Sequence, residues 1–264
     1  MLMTKTVLIT GAAKRVGASI AKRFGKAGWH VIIHYGGSRD EAETLAAALP
    51  SAEALQCDLT DGDAAVRMVQ NIAEMHPEFS ALINCASVFE YDGVTNLDSA
   101  TNSKAMQINA VTPARMAQIF LSGQGAPKSG RCVIQVTDQK LENSNPDFFS
   151  YTMSKHALDA TIKMLAKGAP LPLDRVYGLA PGAILASHDQ SEEETEISHR
   201  LNPLKRKTGA DEIADTALFL ASGQLRSGET IFVDSGQHLL DQPRDVIYLA
   251  REAEEAAKVE AKRT

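Results

Sequence analysis

The sequence predicts an α/β fold, a parallel sheet between layers of helices, on three observations. Short β-branched apolar runs recur along the chain, helical apolar spacing fills the intervals, and a glycine-containing turn joins the first run to the first helical stretch. The runs are Thr6 to Ile9, His30 to His34, Ala54 to Cys57, Ala81 to Ile83, Arg131 to Val136, Arg175 to Leu179 and Thr230 to Val233. Their length and residue types are those of buried strands. Between them Val16, Ile20 and Phe24, the stretch Ala64 to Ala73, and Leu158, Ile162 and Leu165 repeat at three and four, as amphipathic helices do. Strands separated by helices are joined by crossovers rather than hairpins, so they pair in parallel with helices on both faces. With 264 residues, no internal repeat and no low-complexity linker, the chain reads as one domain over 1–240 followed by a helical tail over 241–264. The tail is rich in Ala, Glu and Lys and reads as an exposed helix that frays or mediates self-association.

Composition narrows the class of function. A content of 44% apolar and 23% charged residues is ordinary for a globular protein, and a net charge of -6 argues against a general nucleic-acid or anionic-membrane binder. Lys5, Lys14 and Arg15 flank the first strand and could still form a local basic groove. No apolar run reaches the roughly twenty residues that span a bilayer, and the start enters a strand at once instead of resembling a signal peptide. Cys57, Cys85 and Cys132 lie far apart, without the Cys-x-x-Cys spacing of zinc or redox sites. They read as buried thiols of a cytoplasmic protein, with neither a membrane nor a nucleic acid as partner. The stretch Ala186 to Thr208 carries the acidic run Ser191 to Glu196 and then Lys205-Arg206-Lys207. It reads equally as a solvated loop with a short helix or as a lid over substrate, the substrate loop 186–208.

The first turn, Thr10-Gly11-Ala12-Ala13-Lys14-Arg15-Val16-Gly17, leads from a strand straight into an amphipathic helix, a geometry that turns backbone N–H groups and the positive helix end toward a phosphate. Its place at the first βα crossing points to dinucleotide binding. After the second strand, where an NAD-binding protein shows an acidic side chain, the chain reads His34-Tyr35-Gly36-Gly37-Ser38-Arg39. Arg15, Ser38 and Arg39 could surround a 2′-phosphate, which favours NADPH; Arg39 could equally cap the next helix or face solvent. Asp58, after the third strand, could accept from an adenine amine or act as a turn or N-cap residue before Asp61 and Gly62.

A second constellation bears on proton transfer. Tyr151 and Lys155 stand at i and i+4 of a helical stretch, so the ammonium can lie beside the phenol and favour its ionised form. Asp138 precedes Tyr151 by thirteen residues and follows the fifth strand. It could cap the following loop or act on substrate. As an acid kept protonated by desolvation it would donate to a ring nitrogen, and as an anion it would bind a protonated ring.

Taken together, Thr10-Gly11 with Gly17, Asn84-Cys85-Ala86-Ser87 after the fourth strand, Asn109, Tyr151 with Lys155, and Pro181-Gly182 after the sixth strand resemble the short-chain dehydrogenase/reductase family from Thr10 to about Leu240. The resemblance implies a single Rossmann-like domain with a doubly wound seven-stranded parallel sheet, usually assembled as a tetramer. Arg15 replaces the middle glycine of that family's cofactor turn, and Asp138 stands where most members have a catalytic serine. With His34-Tyr35, these departures are similar to pteridine reductases and to bacterial dihydromonapterin and dihydrofolate reductases of the family. The arginine of the parasite-type His-Arg-Ser sequence is displaced here to Arg39.

The resemblance implies NADPH contacts along Gly11, Lys14, Arg15, Val16 and Gly17, at Tyr35, Ser38 and Arg39, at Asp58 and Leu59, at Asn84, Ala86 and Ser87, and at Lys155, Pro181 and Gly182. A pterin or folate substrate would meet Arg15, Ser87, Phe89, Asp138 and Tyr151. Phe89 is expected to stack on the ring, or else to pack in the core. Asn109 is implied to hold a water near Lys155; it could also be an ordinary residue before Pro113. The expected function is therefore NADPH-dependent reduction of a dihydropterin or dihydrofolate by a homotetramer. A general carbonyl or 3-oxoacyl reductase and a non-catalytic NADP-sensing regulator are the alternatives.

Overall fold

A computed structural model describes residues 4–123, 126–184 and 190–261, with side chains up to residue 256. Seven strands form one parallel sheet: β1 (Thr6–Ile9), β2 (His30–Tyr35), β3 (Ala52–Gln56), β4 (Phe79–Asn84), β5 (Cys132–Val136), β6 (Arg175–Pro181) and β7 (Thr230–Val233). Their spatial order is β3-β2-β1-β4-β5-β6-β7. The chain runs outward from β1 to one edge and then returns to build the other half beside β1. The ends of β1 and β4 therefore flank a topological switch point, the crevice where open α/β sheets hold ligands.

Helices α1 (Arg15–Lys26), α2 (Arg39–Ala48), α3 (Gly62–Met75), α4 (Ser99–Met106), α5 (Thr112–Ser122), α6 (Phe149–Gly168), α7 (Glu192–Ser198), α8 (Ala210–Leu220) and α9 (Val246–Ala261) complete the chain. The period of two along each strand divides its apolar residues between the faces. Val7, Ile9, Val31, Ile33, Ile83 and Ile134 pack with Ile20 and Phe24 of α1 and with Ile213 and Leu220 of α8. Leu8, Ile32, Leu82 and Val133 pack on the opposite face with Val69 and Ile72 of α3, Met116 and Phe120 of α5, and Ile162 of α6. With both faces covered, these strands read as continuous apolar runs.

Asp61 caps α3 through hydrogen bonds from the Asp63 and Ala64 N–H groups, and Ser191 with Glu194 forms a capping box on α7. The acidic segment thus holds the short helix that its reading as a solvated loop with a short helix expects, whereas residues 186–189 lie outside the described residues.

The tail differs most from expectation. Val246, Ile247 and Ala250 of α9 are buried, and the helix packs on α7 instead of standing free. A salt bridge from Arg244 to Asp147, at 2.8 Å, fixes its entry. Its apolar first turn explains the docking: those side chains remove surface from water that an isolated helix would expose.

Candidate functional site

The cleft begins at the turn after β1. Gly11 has a φ of 64°, and a Cβ there would lie 2.9 Å from the Cα of Ala86, so both conformation and space require glycine. Its N–H donates to Nδ1 of His34 at 3.1 Å, and Nε2 of His34 lies 3.0 Å from the Cys57 carbonyl. Accepting at Nδ1 and donating at Nε2 defines the neutral imidazole, and burial pushes its pKa down to about 4. His34 thus ties the ends of three strands to the turn.

Arg15 occupies its position with a left-handed φ of 55°, a backbone conformation that favours glycine but is held here under a charged side chain. α1 has no side-chain cap and no acid in its first turn. Its N-terminal amides and the Lys14 and Arg15 side chains border the cleft, a donor set suited to an anion.

The proton-transfer groups meet where β5 ends. Tyr151 Oη donates to Asp138 Oδ2 at 2.6 Å, and Oδ1 of the same carboxylate accepts from the Lys140 N–H at 2.9 Å. Asp138 is therefore a cap for the turn over Gln139–Leu141 and a partner of Tyr151 through its two different oxygens. Desolvation raises the Asp138 pKa, against hydrogen bonds that favour the anion. Desolvation first, and Asp138 second, hold the Tyr151 pKa well above the ordinary phenol value. That reverses the expectation of a phenol acidified by Lys155. Lys155 Nζ donates to the Val136 carbonyl at 2.8 Å and lies 5.5 Å from the centroid of the Tyr151 ring, and burial lowers its own pKa.

Asn109 lies in a π-helical turn over Gln107–Val111. The one-residue bulge aims its carboxamide at α6 and at the loop after β4. Its Oδ1 accepts from the Val88 N–H, and its Nδ2 donates to Val88 O and Ser154 Oγ, one residue before Lys155.

Aromatic rings form one wall. Phe89 stacks on Phe148 at 3.9 Å between centroids and meets Tyr151 edge-on at 4.7 Å. Ile247 from α9 packs into the same cluster. Phe89 thus packs in an aromatic cluster, one of its two expected roles, and also lines the cavity. Beneath it, the buried Lys140 ammonium is paired with Asp245 at 2.8 Å and with Asn145 at 2.9 Å. The cavity enclosed by these groups measures about 450 Å³.

Gly11, Lys14, Arg15, Val16, Gly17, Ala86, Ser87, Phe89, Asp138, Tyr151, Lys155, Pro181 and Gly182 all line this cavity. Asn84 does not: its side chain turns inward, donating to Pro113 O at 3.2 Å and to Gln135 Oε1 at 2.9 Å. It braces the strand ends and offers the cleft no amide. Tyr35, the last residue of β2, and Ser38, Arg39, Asp58 and Leu59, past the ends of β2 and β3, lie outside this cavity. Arg39 pairs with Glu43 and stands 5.8 Å over the Tyr35 ring; Asp58 accepts from the Thr60 N–H as a turn residue; Leu59 is in the core.

His199 lines the cavity from the segment 186–208 that reads as a loop or a lid, and Lys140, Gln237, Asp245, Val246 and Ile247 line it without having been expected there. The apolar Val246-Ile247 pair was the one signal in the sequence for the last two. Cys85 also faces the cleft, but burial pushes its thiol up to about 11, so it does not supply a thiolate.

The fold recurs in known proteins. Alternative dihydrofolate reductase 1 (FolM) from Brucella canis, solved in complex with NADP, superposes with a TM-score of 0.84 at 32% identity, covering 93% of this chain and 98% of that one. The Brucella suis FolM complex with NADP gives the same TM-score and identity over 99% of its chain. Among sequence relatives, an uncharacterised oxidoreductase, YmfI of Bacillus subtilis, is 29% identical over 89% of this chain and all of its own. The 3-oxoacyl-[acyl-carrier-protein] reductase FabG of Staphylococcus epidermidis is 27% identical over 90% of this chain and all of its own. A family model described as enoyl-(acyl carrier protein) reductase matches residues 11–238. With that match across the sheet and the cleft, the chain belongs to the short-chain dehydrogenase/reductase family.

Proposed function

We propose that the protein is an NADPH-dependent reductase of a dihydropterin or dihydrofolate, and the observation that carries this reading is the buried 2.6 Å hydrogen bond between Tyr151 and Asp138. A serine hydroxyl in that place would suit a carbonyl oxygen. A carboxyl group whose pKa is raised by burial can instead share a proton with a nitrogen heterocycle. The structural likeness to two FolM dihydrofolate reductases supports the same substrate class.

The chain's residues fit NADPH. The uncapped first turn of α1, with Lys14 and Arg15, suits its pyrophosphate, and Arg15 with Ser38 and Arg39, past the end of β2, would supply donors for a 2′-phosphate. Ala86, Ser87, Lys155, Pro181 and Gly182 border the part of the cleft next to Tyr151. When bound, the nicotinamide supplies the hydride that adds to the imine carbon of the substrate. Tyr151 supplies the proton to the imine nitrogen; its raised pKa means that it keeps this proton until transfer. Asp138 orients the phenol, and in its protonated form, which burial favours, it would return a proton to Tyr151 and regain one from solvent through the open cleft. Lys155, anchored on the Val136 carbonyl, holds a positive end beside the phenol, and Phe89 offers an aromatic surface to a flat ring.

The FabG relatives support a second reading, reduction of a 3-oxoacyl thioester. Oxidation of NADPH followed with dihydrobiopterin, dihydromonapterin and dihydrofolate beside acetoacetyl thioesters separates the two. Turnover of the pterins with little or none of the thioester is the expected result. Turnover of the thioester alone assigns the chain to the second reading, and NADPH binding with no turnover of either leaves a cofactor-sensing regulator.

A further inference from the structure

At the end of the sheet opposite the cleft, three side chains from three elements converge. His30 opens β2, Glu53 lies in β3, and His76 follows the last turn of α3. Parallel pairing of Val31 with Ala52 and of Ile32 with Glu53 sets His30 and Glu53 diagonally on the sheet face that α3 covers. Both imidazoles aim Nε2 at the same carboxylate oxygen, Glu53 Oε1, at 3.5 Å from His30 and 3.1 Å from His76. Their rings lie nearly parallel with centroids 5.0 Å apart. The ligand atoms all fall within 4.8 Å of one another.

We propose that His30, Glu53 and His76 form a binding site for a borderline divalent transition-metal ion, with Zn²⁺ the best fit. Bonds of roughly 2.0–2.1 Å to a tetrahedral zinc place neighbouring donor atoms about 3.4 Å apart, and the two nitrogen-to-oxygen separations bracket that value. Two imidazole nitrogens and one carboxylate select Zn²⁺, Co²⁺, Ni²⁺ or Cu²⁺ over Mg²⁺ and Ca²⁺, which require oxygen-rich shells.

A further contact orients one ligand. Ser51 Oγ lies 2.8 Å from His30 Nδ1, and with that nitrogen as donor the Nε2 lone pair is left facing the site. The C-terminal end of α3, beside His76, adds a negative dipole end that favours a cation. Both histidine side chains are about one-fifth exposed and Glu53 about half, so the site opens to solvent and leaves a fourth position for water. Bound there, the ion would clamp the edge strand β3 and the end of α3 to β2, far from the residues that border the cleft.

The test uses the full chain, stripped with a chelator and titrated with Zn²⁺ by calorimetry and with Co²⁺ by visible absorption. One ion per chain, a tetrahedral Co²⁺ spectrum and a Zn²⁺-dependent rise in melting temperature are expected. Affinity should fall by more than about tenfold in His76→Ala and in Glu53→Gln. The glutamine keeps the size and polarity of Glu53, so loss there is loss of a ligand and not of the fold. Absence of stoichiometric binding, or binding unchanged in the His30→Ala/His76→Ala double variant, would overturn the assignment.

Discussion

Tyr151 donates a 2.6 Å hydrogen bond to Asp138 at the end of β5, and the other oxygen of the same carboxylate caps the turn that begins at Gln139. One side chain thus both builds the local backbone and touches the reacting group. Asp138→Ser is expected to reduce pterin turnover by more than about tenfold while leaving NADPH affinity nearly intact, because its contacts face substrate and Tyr151. Steady-state kinetics together with fluorescence titration of NADPH check this; an equal loss of cofactor affinity would contradict the role.

Acid sensitivity should arise from His34. Its folded-state pKa of about 4 lies below the ordinary 6.5, so between those values the unfolded chain binds the extra proton. The stability that neutral His34 confers is complete above about pH 6.5 and is lost as pH falls toward 4, by an amount of order 3 kcal/mol. His34→Gln, which can still accept from Gly11 and donate to Cys57, should remove most of this slope in urea titrations compared at pH 7 and pH 5.

Arg15 carries a left-handed backbone that costs a non-glycine residue roughly 1–2 kcal/mol. Arg15→Gly is expected to raise stability by up to about 1 kcal/mol, offset in part by glycine's entropy, and to raise KM for both NADPH and pterin. Thermal unfolding and kinetics on the same preparation would show the two effects with opposite sign.

The buried pair Lys140–Asp245 gives a third stability test. Asp245→Ala leaves the Lys140 ammonium with Asn145 but without its carboxylate, and should destabilise the fold by about 3 kcal/mol. Replacing both, as Lys140→Met with Asp245→Leu, should recover most of that loss in denaturant unfolding.

Much of the fold was legible because local chemistry dictates it. The runs at Thr6, His30, Arg131, Arg175 and Thr230 are strands with boundaries within about a residue or two, since strands buried on both faces must be apolar throughout. Tyr151, Lys155 and Asp138 were legible because helical spacing and the end of a strand bring them together. His34 was not, as its role is set by backbone atoms of Gly11 and Cys57, and a histidine inside a strand carries no mark of either. The π turn at Asn109 adds one residue to a helix without a distinctive composition. Asn84 was placed by its motif, but its side chain goes where Pro113 and Gln135 can satisfy it. The wall formed by Asp245, Val246 and Ile247 was hidden by sequence distance, because nothing near those residues says which surface they cover.

That wall also imposes an order on folding. All seven strands lie at or before Val233, so the sheet can close without the residues that follow it. The cavity cannot, because Lys140 still lacks its carboxylate and the rings of Phe148 and Tyr151 still lack Ile247. A chain whose last helix has not docked would be a paired sheet with an open pocket, so docking of that helix is the step that confers competence to hold a substrate.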